Sequence, residues 1–130
     1  MPWPPTVRPR LKPVASRSTR LVAEIYAGPK AGLQPIHDRF MVRVRAFGPF
    51  EVTPKKGHVS LRRKKQFAMI GPATKEKVEI GLNMKGVAPT ARLIALPPGG
   101  MWQYKLRVAE PSEVDDELIG WAKLAFVASG

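Results

Sequence analysis

From Leu33 onward, apolar residues recur at helical spacing. Leu33, Ile36, Phe40, Val44 and Phe47 step by three or four and share one face, while Arg39, Arg43 and Arg45 point elsewhere. Gly28-Pro29 precedes this helix, Pro35 fits only its first turn, and Gly48-Pro49 ends it, because a residue before proline disfavours the helical conformation. The period then changes to two. Phe50 and Val52 flank Glu51, and Val59 and Leu61 alternate with His58, Ser60 and Arg62. Phe67 to Ile70 form a further apolar run, and Val78, Ile80 and Leu82 alternate with Glu79, Gly81 and Asn83. Residues 85–100 hold Gly86, Pro89, Pro97, Pro98, Gly99 and Gly100 and read as a long connection, with Leu93 to Leu96 a short turn or edge segment inside it. Trp102, Tyr104, Leu106 and Val108 alternate with Gln103, Lys105 and Arg107, the clearest strand of the chain.

A second helix follows. Ser112 is placed to cap it, with Asp115 three residues on, and Val114, Leu118, Trp121 and Ala125 form its buried face. Five of the ten acids lie between Glu110 and Glu117, where the helix dipole favours negative charge. The predicted order is an N-terminal helix, four or five antiparallel strands and a C-terminal helix. That is an α+β fold, a two-layer sandwich with helices on one face of the sheet. No internal repeat is visible.

Residues 1–19 are compositionally separate. Five of the first thirteen residues are proline, and Arg8, Arg10, Lys12, Arg17 and Arg20 are met by no acid before Glu24. Such a segment buries too little apolar surface to offset its ordering entropy. An extended or disordered arm is expected over 1–19 and a single domain over 20–130. At 130 residues the chain is long enough for one real core. There is no cysteine, which excludes disulfide scaffolds, thiolate zinc sites and cysteine nucleophiles. No apolar run approaches the ~18 residues of a membrane span, and the N-terminus lacks a signal-peptide core. A soluble cytoplasmic protein without a membrane partner is expected.

The formal net charge of +12 changes the picture. Charge of this sign favours nucleic acid, an anionic membrane surface or acidic protein through long-range attraction. Six cations and no acid lie between Lys55 and Lys65, inside a segment that reads as two strands with Arg62 to Lys65 at their turn. Lys55, Lys56, Arg62, Arg63, Lys64 and Lys65 are therefore the candidate anion-binding residues, with Lys105 and Arg107 on a neighbouring strand as an extension. The competing reading is a solvated charge run that discourages edge-to-edge aggregation. A nucleic acid is the favoured partner; an acidic protein or a small anion is the alternative.

Nothing points to catalysis. His37-Asp38 and His58 lack the spacing of a metal site, and Asp115 and Asp116 are accounted for by a first helical turn. Gly71-Pro72 and Gly99-Gly100 do not form a glycine-rich phosphate cradle, and Ser60, Ser112 and Ser129 have no nucleophile setting. Trp102, Tyr104 and Trp121 fall at periodic apolar positions, as core residues do. A non-catalytic binding domain without cofactor or metal is expected.

Several segments carry a resemblance: Tyr26-Ala27-Gly28-Pro29-Lys30-Ala31, Pro35-Ile36-His37-Asp38, Val59-Ser60-Leu61-Arg62-Arg63-Lys64-Lys65-Gln66-Phe67-Ala68, Gly81-Leu82-Asn83 and Val114-Asp115-Asp116-Glu117-Leu118-Ile119-Gly120-Trp121. From Leu21 to Ala128 the chain resembles the bacterial family catalogued as domain of unknown function 5655. The resemblance implies no activity. In many relatives a small helical domain precedes this one, and in others it is joined to proteins resembling restriction-type nucleases; here a Pro/Arg arm stands in that place. In element order the chain is distantly similar to the YjbR-like double-wing and frataxin-like folds, an analogy of fold alone.

Overall fold

The computed structural model describes residues 17–130, with side chains from residue 20. The arm expected over 1–19 thus lies, up to residue 16, outside the described residues, and 17–19 form the first turn of a helix. That helix, α1 (Arg17–Ile25), is absent from the sequence reading. It has nine residues, fewer than an isolated helix needs to hold together in water. Packing holds it: Ile25 and the following Tyr26 are buried, and Val22 is packed against the core.

A 3-10 segment, Gly28–Leu33, leads into α2 (Gln34–Arg45), with Pro35 in its first turn as expected. Leu33, Ile36, Phe40 and Val44 are buried. Six strands follow: β1 (Glu51–Pro54), β2 (Val59–Arg62), β3 (Gln66–Pro72), β4 (Val78–Leu82), β5 (Ile94–Ala95) and β6 (Tyr104–Val108). They form one antiparallel sheet in the order β1-β2-β3-β4-β6-β5. The architecture is α+β, as expected, with one strand more than predicted. The addition is the two-residue edge strand β5 inside the long connection, which pairs with the outer side of β6.

The register sorts side chains by face. Val52, Leu61, Ala68, Leu82 and Tyr104 stand in one cross-strand row and Val59, Ile70, Ile80 and Leu106 in the next, and both rows join the single core with α2 and α3 (Asp116–Ala128). Thr53, Ser60, Met69, Gly81, Lys105 and Ile94 form the alternate row on the opposite face. There the indole of Trp102 lies against Gly81; a Cβ on that glycine would come 3.1 Å from the ring. Trp102 therefore precedes β6 and is half-buried outside the helix-covered core, which corrects its expected place within the strand.

The last helix starts later than predicted. Ser112 lies in a 3-10 turn, Pro111–Glu113, in which the Glu113 carboxylate accepts from the backbone N–H groups of Ala109 and Glu110. The N-cap of α3 is Asp115, whose Oδ1 accepts from Leu118 N at 3.0 Å. Both carboxylates neutralise free backbone donors. The Pro111 ring favours the preceding turn, so the helix begins only after a second cap becomes available. Val114 is buried ahead of the helix rather than within it, and Trp121 is only half-buried; Leu118, Ile119, Ala122, Ala125 and Phe126 form the actual inner face. Among the described residues, no helix is long and apolar enough to cross a membrane.

Candidate anion-binding site

An antiparallel meander alternates the end at which its turns fall. The β1–β2 turn carrying Lys55 and Lys56 and the β2–β3 turn carrying Arg63, Lys64 and Lys65 therefore lie at opposite ends of β2. At ~3.3 Å per residue, β2 and its flanking residues separate the two groups by roughly 15–20 Å. The six cations of the hairpin are thus divided between its two ends. Lys105 and Arg107 sit on the sheet face away from the helices, and Arg107 Nε pairs with Glu79 Oε1 at 3.3 Å. An exposed pair of this kind is worth little to stability, but it neutralises Arg107 as a free cation.

Arg63 is also committed. Its guanidinium donates to Phe126 O at 2.8 Å and lies 4.1 Å from the centroid of the Phe126 ring. The backbone N–H groups of Lys64 and Lys65 donate to Ser129 O. The turn thus closes the C-terminal end of α3, where carbonyls lack intrahelical partners and the dipole favours a cation. Arg63→Ala is expected to cost about 2 kcal/mol, from a charge-assisted hydrogen bond and a cation–π contact. Lys64→Ala is expected to cost less than ~0.5 kcal/mol, as for an exposed side chain. Urea midpoints compare the two; equal values would remove the helix-closing role of Arg63.

The same end of the sheet collects cations the sequence reading passed over. Lys85 follows β4 and shares a groove with Lys65 and Ser129. Arg45, at the end of α2, stands 5.8 Å from the Phe50 ring centroid, and Lys123 of α3 stands 5.3 Å from that of Phe47. Arg62, opposite Glu51 in the register, completes the set. Among the described residues, Arg62, Lys64, Lys65 and Lys85 make no ion pair. Seven of the ten acids lie toward the other end, at the β3–β4 turn, in β4 and between Glu110 and Glu117. The strand count could have found Lys85, because the end of β4 falls beside the β2–β3 turn in any antiparallel meander.

The acidic end is internally balanced. Arg92 Nη1 lies 3.0 Å from both Asp115 Oδ1 and Glu117 Oε1, Nη2 donates to Glu113 O, and the guanidinium faces Trp121. Desolvation works against the Asp115 charge, yet the Leu118 N–H and Arg92 hold its carboxyl below the usual range. Arg43 pairs with Asp116 at 2.7 Å and binds Val114 O. These contacts pin the long connection and α2 to the start of α3.

The groove beside Lys65 and Lys85 has a volume of about 650 Å3. Its polar floor is internally bonded. Asn83 Nδ2 donates to Gln66 O and Met101 O while its Oδ1 accepts from Gln103 N, and Gln66 Nε2 donates to Ser60 Oγ. The groove thus offers fixed walls and free lysine ammoniums. Among the described residues, no group of three or more potential ligand side chains is placed to hold a metal ion. The one buried histidine, His37, bonds Tyr26 inside the core.

Residues 22–129 match the family model described as Domain of unknown function (DUF5655). Comparison with curated proteins returns no match, and comparison with solved structures returns none.

Proposed function

We propose that this chain, which belongs to the DUF5655 family, is a non-catalytic binding domain that takes a nucleic acid through the cationic end of its sheet. The observation that carries this reading is the set Arg62, Lys64, Lys65 and Lys85, four cations from the end of β2, the β2–β3 turn and the connection after β4 that lie at one end of the sheet without ion-pair partners among the described residues. Phosphate neutralisation needs several cations on a rigid element. The clamp between the β2–β3 turn and α3 supplies that rigidity. Of the residues expected from sequence, Arg62, Lys64 and Lys65 keep this role; Arg63 acts by fixing the turn. Lys55 and Lys56 stand at the far end, and Lys105 and Arg107 on the open face. Phosphate contacts carry little base information, so binding is salt-sensitive and weakly sequence-specific.

The test is fluorescence anisotropy of a labelled duplex titrated with the full chain at several salt concentrations. Four neutralised phosphates correspond to a log–log salt slope of about −3.6. The triple variant Lys64→Glu, Lys65→Glu, Lys85→Glu is expected to lose on the order of 100-fold in affinity. Lys55→Glu with Lys56→Glu, at the opposite end, is expected to change it by less than about threefold. Equal losses in the two variants would mean that net charge, and not this site, drives association.

A further inference from the structure

We infer that the groove beside Lys65 and Lys85 receives a short segment of single-stranded nucleic acid, with its bases against an apolar wall and its phosphates on the lysine rim. This rests on the anion-binding reading above and names the form of the partner. Two features of the groove carry it. The first is that the groove is amphipathic: Lys65 and Lys85 line it together with the apolar side chains of Met101, Leu124 and Ala128. Met101 is 67% exposed and Leu124 50%, so large apolar side chains face solvent directly beside unpaired cations. A duplex has its base faces stacked internally and offers such a wall nothing. Single-stranded bases have free apolar faces, and stacking on side chains is sequence-tolerant.

The second feature is continuity. A further concavity of about 360 Å3 shares Met84, Lys85, Gly100 and Gln103 with the first and extends along the long connection to Trp102. The Trp102 indole, half-buried against Gly81, forms part of its lining. A strand spanning both concavities thus has the cations Lys65 and Lys85, the apolar side chains of the first concavity and the Trp102 ring of the second available to it. Positive charge tracking a backbone, interleaved with stacking surfaces, is the arrangement single-strand binding requires. Gln103 lines both concavities, its backbone N–H taken by Asn83. Its side-chain amide, which has no hydrogen bond among the described residues, is a donor and acceptor available to a base edge.

Three probes of equal length separate the possibilities in anisotropy titrations of the full chain at one salt concentration: an oligothymidylate, an abasic phosphodiester strand and a duplex. The oligothymidylate is expected to bind about tenfold or more tightly than either other probe, from one or two stacked bases. Met101→Ala with Leu124→Ala, both exposed and outside the core, is expected to bring the oligothymidylate down to the abasic level while leaving duplex affinity unchanged. Equal affinity for the oligothymidylate and the abasic strand, or an unaltered double variant, overturns the groove inference and leaves phosphate binding standing. Failure of all three probes to bind overturns both.

Discussion

Phe67→Ala is expected to be the most destabilising single substitution considered, at roughly 3–5 kcal/mol. Phe67 is fully buried. Its ring centroid lies 5.4 Å from those of Phe50 and Phe126, both edge-on, and Phe126 in turn meets Phe47 at 5.5 Å. Four rings from the end of α2, the start of β1, β3 and the end of α3 thus meet beneath the cationic turn. Phe67 reaches them because of an irregularity in pairing. Leu61 pairs with Ala68 and Arg62 with Gln66, so Phe67 is an extra residue and turns toward the helices beside Ala68. Alanine there loses the transfer energy of a phenyl ring and opens a cavity under the clamp that Arg63 makes with Phe126. For a domain of this size the melting temperature is expected to fall on the order of 15 °C. A fall below about 4 °C would show that the four rings do not act as one packed unit.

Acidification is expected to weaken the fold well before its carboxylates protonate. His37 is 4% exposed, and its Nδ1 lies 3.0 Å from the Tyr26 hydroxyl. Desolvation, with a smaller contribution from the charge of Arg45, lowers the His37 pKa from 6.5 to about 4. Burial pushes the Tyr26 phenol up, and the Asp38 charge adds to it, so that phenol stays protonated throughout. Above pH 6.5 the histidine is neutral in both states and contributes no pH dependence. Between pH 6.5 and 4 the unfolded chain binds a proton that the native protein refuses, so stability falls as pH falls. The full shift corresponds to roughly 3 kcal/mol, about 1.4 kcal/mol per pH unit inside the window. His58, also lowered by desolvation and then by Lys55, acts in the same direction. Asp38, raised by desolvation, acts in the opposite direction. The depressed Asp115 contributes a loss only at lower pH, as its carboxylate protonates. Urea unfolding at pH 7, 5.5 and 4.5 measures the slope, and His37→Gln, which keeps a polar partner for Tyr26 but does not titrate, is expected to lose most of it. An unchanged slope in that variant would assign the acid sensitivity to other groups.

The two predictions draw on features of unequal legibility. The helical period from Leu33 to Phe47 and the alternation of Val78, Ile80 and Leu82 are local patterns, and the structure has α2 and β4 there because each face needs only its own neighbours to be written. His37 fell outside that logic, since its partner Tyr26 lies across a 3-10 segment and belongs to no periodic run. The bulge at Phe67 was equally hidden: Phe67 to Ile70 reads as an unbroken apolar run, which carries no sign of two neighbouring residues on one face. α1 is too short to show a long period, and packing rather than propensity stabilises it.

For the candidate site, the sequence by itself determined that a folded segment between Lys55 and Lys65 carries concentrated positive charge, because composition and alternation are properties of contiguous residues. It also determined the α+β class, since two periods in succession specify helix and strand before any contact is made. Only the tertiary structure decided which cations are free. Arg63 is taken by Phe126, 63 residues away, Arg92 by Asp115, 23 away, and Arg107 by Glu79, 28 away. It also parted Lys55 and Lys56 from Lys64 and Lys65 while bringing Lys85 to the same end as the latter pair. Charges act through space and not along the chain, so their grouping is set by strand order and register, which a single sequence records only through the core those strands bury.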